Sequence, residues 1–220
     1  MPKTTKLFYN KWPYKIALWQ KGSWFIKRLG LEVARKRCDP GYRYKWAHLS
    51  FEDQVELNRF IDAVEPFLKE NIQIRSENSR FSIYCDDRAL LDRMIQDLKP
   101  WTLDIFKPAT EAELDYITNS SSNKVICTNI PFDRFHYKVY IRRTINPDTR
   151  ISFVKWVENY PDSLRVPKAT LEWLNGNSNW AWTPFVYVES TSMLSMVGLF
   201  LGNNIQKIEE FIPRTDINIR

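Results

Sequence analysis

Between residues 43 and 106 the spacing of hydrophobic positions switches several times between a period near two and a period near 3.6. Arg43–Leu49 (RYKWAHL) alternates as a strand does. Ser50 follows, with Asp53 placed as in a capping box. Val55, Leu57, Phe60, Ile61, Val64, Phe67 and Leu68 then recur at the spacing of one helical face, to about Glu70. Ile72–Arg75 and Phe81–Cys85 read as short strands joined by a polar turn at Ser76–Ser79. Asp86 or Asp87 opens a second helix with Leu90, Leu91, Met94, Ile95 and Leu98 on its apolar face. Pro100 closes that helix, and Trp101–Phe106 reads as a strand. The order βαββαβ is the split βαβ, or ferredoxin-like, arrangement, so the expected fold class is α+β.

A third helix is predicted from Thr110 to Ile117, with Thr110 and Glu113 spaced as a capping box, and the polar run Asn119–Asn123 reads as a joint. Beyond it a second α+β unit is expected. Its strands are Tyr137–Arg143, Phe185–Val188 and Ile205–Ile212. Its helices are Thr149–Tyr160, Lys168–Leu174 after Pro167, and Ser190–Leu201, with Gly176 and Gly202 as stops. The expected domains are 1–118, a basic segment with the ferredoxin-like unit, and 124–220, unless the two merge into one. Residues 8–17 (FYNKWPYKIA) echo residues 132–141 (FDRFHYKVYI): an aromatic start, a basic–aromatic pair, then Tyr-Lys and an apolar strand. A diverged duplicate would leave such an echo, and so would chance between two basic strands.

Composition confirms a folded chain, with 44% hydrophobic and 26% charged residues. The charge distribution changes the picture. Residues 1–45 hold twelve Lys or Arg against two acids, Glu32 and Asp39, whereas residues 46–130 hold fifteen acids and are net acidic. The basic segment also carries Phe8, Tyr9, Trp12, Tyr14, Trp19, Trp24 and Phe25. Cations meet phosphates and release counterions, while flat rings stack on bases. The residues expected to bind nucleic acid, single-stranded RNA or DNA, are Lys11, Trp12, Lys15, Lys27, Arg28, Arg35, Lys36, Arg37, Arg43, Tyr44, Lys45 and Trp46. Two other uses of the same charge stay open. The basic face can be solvated or dock on the acidic middle of its own chain. It can also meet an acidic protein partner, or a second copy, in an assembly protein such as a viral one.

The predicted sheet offers stacking surfaces as well. Tyr44, Trp46 and His48 alternate onto one face of their strand, and Ser82 and Tyr84 oppose Phe81, Ile83 and Cys85 on theirs. RNA-recognition sheets of this topology stack bases on aromatics of the first and third strands. Those strands, taken as parallel central neighbours, place Glu52, Asp53, Asp86 and Asp87 on one sheet edge. Four carboxylates there would suit Mg²⁺ and a small metal-dependent nuclease. Helix capping explains the same acids more simply.

No G-x-S-x-G, P-loop or G-x-G-x-x-G is present, so no catalytic residue is named, and no cofactor is expected outside the Mg²⁺ of the nuclease reading. Cys38, Cys85 and Cys127 are odd in number and widely spaced, as free thiols in a reducing compartment are. His48 and His136 read as strand residues. The start of the chain, MPKTTKLFYNKWPYK, lacks an apolar signal region, and Met193–Leu201 is far shorter than the roughly 20 residues of a membrane span. The expected location is the cytoplasm, of its own cell or of an infected host, with no membrane partner.

Overall fold

The central strand of the first sheet comes from the basic segment. Tyr14–Trp19 (β1, YKIALW) buries Tyr14, Ile16 and Leu18 on one side, and alternation turns Lys15, Ala17 and Trp19 to the other. The computed structural model describes residues 2–39, 49–121, 123–177 and 183–217. The chain divides into two units, Met1–Thr118 and Asn119–Arg220, each of mixed α+β structure.

In the first unit β1 leads to two short helices, Trp24–Leu29 (α1) and Leu31–Arg37 (α2), and to Phe51–Val64 (α3). The hairpin Gln73–Glu77 (β2) and Arg80–Cys85 (β3) follows, then Arg88–Asp97 (α4), Thr102–Phe106 (β4) and Glu111–Asn119 (α5). The sheet order is β2-β3-β1-β4, and every pairing is antiparallel. One face meets the helices. Phe25 and Ile26 of α1, Leu57, Phe60, Ile61 and Val64 of α3, and Leu90, Leu91 and Met94 of α4 close over Ile16, Leu18, Phe81 and Ile83. Phe60 is fully buried, and its ring lies 5.5 Å from those of Phe81 and Trp101, edge to face with both.

The helix starts follow local chemistry. The Ser50 hydroxyl accepts from the Asp53 N–H at 3.1 Å, and the Asp53 carboxylate accepts from the Ser50 N–H at 3.0 Å. Thr110 and Glu113 repeat this scheme at α5, where the Thr110 hydroxyl accepts from the Glu113 N–H and the Glu113 carboxylate from the Ala109 N–H. Between β1 and α1, Gly22 sits at φ +82°, and a Cβ there would stand 3.0 Å from Leu57 Cδ2. The turn therefore needs glycine both for its backbone and for the approach of α3.

The expected parallel partner of β3, Arg43–Leu49, lies outside the described residues except for Leu49, but both sides of β3 are taken by antiparallel neighbours, β2 and β1, which corrects the expected parallel pairing. Ile16 lies opposite Ile83 in an antiparallel ladder. The reason is topological: the helical crossover brings β2 back parallel to β1, and the tight β2–β3 turn then reverses the chain.

The second unit contains Lys124–Cys127 (β5), Tyr137–Ile141 (β6), Pro147–Val157 (α6), Leu164–Arg165 (β7), Lys168–Leu174 (α7), Phe185–Val188 (β8), Thr191–Leu201 (α8), Ile205–Pro213 (β9) and Arg214–Ile217 (α9). Its sheet order is β5-β9-β6-β8-β7, antiparallel throughout except for β5 beside β9. Asn146 and Ser190 cap α6 and α8. Val139, Ile141, Val186 and Val188 pack against Phe153, Leu174 and Val197 of the helices. With β5 set aside, β6, β7, β8 and β9 occupy the same relative positions as β1, β2, β3 and β4. Among the described residues no helix is long and apolar enough to cross a membrane.

Replacing Phe60 with Ala removes the ring that joins α3 to β3 and to Trp101. A loss of about 3–5 kcal/mol is expected, read as a lower urea midpoint at unchanged slope.

Candidate nucleic-acid interface

The face of the first sheet opposite its helices carries Lys15, Ala17 and Trp19 of β1, Arg80, Ser82 and Tyr84 of β3, Arg75 and Glu77 of β2, and Asp104 and Phe106 of β4. Lys15 is its centre. The Lys15 ammonium lies 4.7 Å from the Phe106 ring centroid and 5.6 Å from those of Phe8 and Tyr84. Among the described residues it has no ion-pair partner. Burial, and then the Arg80 and Arg75 guanidinium groups, hold Lys15 below the usual lysine range. Arg75 pairs with Glu77, and Arg80 with Asp104 at 3.4 Å, both at the surface.

The first residues of the chain close one end of this face. The Thr4 N–H donates to the Lys107 carbonyl at 2.9 Å. Phe8 packs on Tyr84 and Phe106, and Tyr9 stands edge-on to Tyr84 at 5.0 Å. A cavity of about 430 Å³ remains, lined by Lys3, Thr4, Lys15, Arg75, Tyr84 and Phe106 among others. Thr4 is almost fully buried, and its hydroxyl has no hydrogen-bond partner. Tyr9 and Trp19, toward opposite ends of the face, are each 53% exposed. The arrangement is cations between two accessible rings, the combination that grips a flexible chain of phosphates and bases.

The residues expected to bind from sequence separate into several environments. Lys15 lies on this face. Lys27 and Arg28 line a cleft of about 550 Å³ with Trp24, Ser76 and Asn78. The Trp12 ring is 4% exposed and is core, with the Lys11 ammonium 4.1 Å above it. The run Arg35-Lys36-Arg37 serves the fold. Arg35 bridges Asp62 and Glu65 at 2.6 Å each, Lys36 pairs with Glu32 at 2.9 Å, and Arg37 lies over the Phe25 ring. Here part of the basic segment docks on the acidic helix α3 of its own chain. Arg43, Tyr44, Lys45, Trp46 and His48 lie outside the described residues. Arg75, Arg80 and Asp104, which share the face with Lys15, were not among the residues expected from sequence. The signal was the alternation of RFSIYC, which already set Ser82 and Tyr84 apart from Phe81, Ile83 and Cys85 on the helix-covered side, but which strand lay beside β3 was not legible.

The four-carboxylate site is not assembled, which corrects the placement of those acids on one edge. Asp53 caps α3 and pairs with Lys21 at 2.5 Å, just past the end of β1. Asp86 and Asp87 follow the end of β3, which lies beside the start of β1, where Cys85 is opposite Tyr14. Because the strands are antiparallel, the two acidic pairs sit at opposite ends of the sheet. Asp87 caps α4 through the Ala89 N–H at 2.8 Å, and Asp86 accepts from Asn71 at 3.2 Å. Among the described residues no group of three or more His, Cys, Asp or Glu is placed to hold a metal ion.

Comparisons with protein-family models, with curated proteins and with solved structures return no match to this chain.

Two outcomes follow. Arg35→Ala is expected to lower stability by about 0.5–1 kcal/mol, since its ion pairs are exposed, and to leave nucleic-acid affinity unchanged; thermal melts and anisotropy titrations read the two effects separately. Burial first, and then the Asp86 and Asp87 charges, push the Cys85 thiol up to about 12. The folded state thus keeps a proton that the unfolded chain releases near pH 8.5, so this thiol's contribution to stability falls as pH rises above that value. At pH 8 Cys85 is expected to resist iodoacetamide in the native protein and to react in urea, as read by peptide mass spectrometry.

Proposed function

We propose that the chain binds single-stranded nucleic acid, RNA or DNA, on the helix-free face of its first sheet. The observation that carries this is the row Lys15, Arg75 and Arg80 between the exposed rings of Tyr9 and Trp19. Arg75 and Arg80, each paired with an acid, flank a lysine that has no ion-pair partner among the described residues, so an incoming phosphate supplies the counter-charge that Lys15 lacks. The rings hold bases by their faces, which every base offers, so sequence preference is weak. A duplex keeps its base faces stacked inside and meets only the cations.

The strand order β2-β3-β1-β4, with helices in the β1–β2 and β3–β4 connections, supports reading the first unit as ferredoxin-like. The matching order in the second unit supports a diverged duplicate, and the division near residue 118 supports two domains. The three free cysteines suit a reducing cytoplasm.

The test is fluorescence anisotropy of the full chain with labelled single-stranded RNA, single-stranded DNA and duplex decamers across a salt series. Single strands are expected to bind better than duplex, with log Kd changing by about 2 per decade of salt for three phosphate contacts. Lys15→Gln and Trp19→Ala are each expected to weaken binding about tenfold without loss of folded signal. Affinity indifferent to salt, or no binding at low salt, would overturn the proposal.

A further inference from the structure

On the helix side of the first sheet, α1 lies against the edge strand β2, and the cleft between them has walls whose polar groups the fold leaves unused. Trp24, Lys27 and Arg28 of α1 form one wall, and Ser76 of β2 with Asn78 of the β2–β3 turn forms the other. The volume of about 550 Å³ is within the roughly 300–1,000 Å³ of small-molecule sites.

Two neighbouring cations stand in this cleft without an acid. Lys27 and Arg28 are exposed, and among the described residues neither has an ion-pair partner. The residues outside the described stretches include no Asp or Glu, so no acidic side chain is left to answer them. The next cations along the chain are used differently, Arg35 on Asp62 and Glu65, and Lys36 on Glu32. The Arg28 guanidinium lies 5.7 Å from the Trp24 ring centroid, close to the ~6 Å limit of such an attraction, so the ring holds it loosely. The indole itself is anchored. It is half-buried, its centroid 4.0 Å from that of the core ring Phe25. On the β2 side the Ser76 hydroxyl oxygen is buried without a hydrogen-bond partner, a state that folded proteins rarely leave unanswered. Asn78, at φ 53° in the turn, is exposed, and its carboxamide offers a donor and an acceptor side by side.

We infer that this cleft binds a nucleotide bearing a terminal phosphate monoester, with the base against Trp24, the phosphate on Lys27 and Arg28, and the polar edge of the base on Asn78 and Ser76. The inference stands apart from the reading of the sheet face. A monoester carries about −1.5 to −2 charge at pH 7, and a linkage inside a strand about −1, so the monoester matches two adjacent cations. The guanidinium fork can take two phosphate oxygens at once, and the freed indole then receives the base. Such a nucleotide is either a free nucleoside monophosphate or the phosphorylated end of a strand. The turn that carries Asn78 is joined to the end of β1 that carries Trp19: Trp19 lies opposite Arg80, and the Gln20 N–H donates to the Ser79 carbonyl at 2.9 Å. A strand with a base on Trp19 therefore has its end close to the cleft.

The experiment is isothermal titration calorimetry of the full chain with AMP, adenosine, inorganic phosphate and phenyl phosphate. AMP is expected to bind about tenfold more tightly than each of the other three, since only AMP offers both base and monoester. The Lys27→Gln, Arg28→Gln double variant, changed at exposed positions, is expected to weaken AMP about tenfold with an unchanged circular dichroism spectrum, and Ser76→Ala to weaken it less. Anisotropy of hexamers with and without a terminal phosphate separates the two sources. A gain in affinity from that phosphate, lost in the double variant, supports the inference with the strand end as ligand. AMP binding with no such gain supports it with the free nucleotide. Phosphate or phenyl phosphate binding as tightly as AMP overturns it, as does AMP binding that is absent or unaltered in the double variant. The sheet face is tested separately, by the binding of hydroxyl-ended strands.

Discussion

The first unit depends on one insertion, that of β1 between β3 and β4. The six residues Tyr14–Trp19 satisfy the backbone of both neighbours, and their buried side chains meet the helices that cover the sheet. Because side chains alternate, the register that buries Ile16 and Leu18 also commits Lys15 to the other face, among aromatic rings and arginines. The core and the candidate interface are two sides of one strand. Changing the register would destroy both together.

The same economy governs the charge. A run of cations in sequence is not a run of cations in space. Arg35, Lys36 and Arg37 sit on one short helix, yet Arg35 and Lys36 meet carboxylates of Asp62, Glu65 and Glu32, and Arg37 covers a ring. Lys15, a lone cation in its own strand, gains company only when the sheet brings Arg75 and Arg80 alongside. Arg75 and Arg80 carry exposed ion pairs to Glu77 and Asp104, so the charge this grouping leaves for a polyanion is chiefly that of Lys15.

Local signals were legible and long-range ones were not. Ser50 with Asp53, Thr110 with Glu113, and the apolar rows of α3 and α4 announced their helices, because capping and periodicity are written within a few residues. The α+β class followed from those elements. The identity of the central strand did not, since nothing local says that Tyr14–Trp19, rather than a later segment, pairs with Arg80–Cys85. The carboxylate cluster failed for the same reason: its assembly hung on strand direction, which the hairpin after a helical crossover reverses. The echo between residues 8–17 and 132–141 was visible, but its force rests on the left-handed backbone angles of Tyr9, Asn10, Phe132 and Asp133, which residue types do not reveal.

Strand order also has a consequence for synthesis. β1 leaves the ribosome first, but its partners Ile83 and Ile105 come some 70 and 90 residues later. Until then the apolar side of β1 has no sheet to join, and the helices made in between have no floor to pack on. The first unit therefore assembles late and all at once, after β4 has emerged, and the nascent chain meanwhile carries an exposed apolar strand set among lysines. Lys11, Lys15 and Lys21, in and beside that strand, are charges of the kind that disfavour edge-to-edge pairing with another copy.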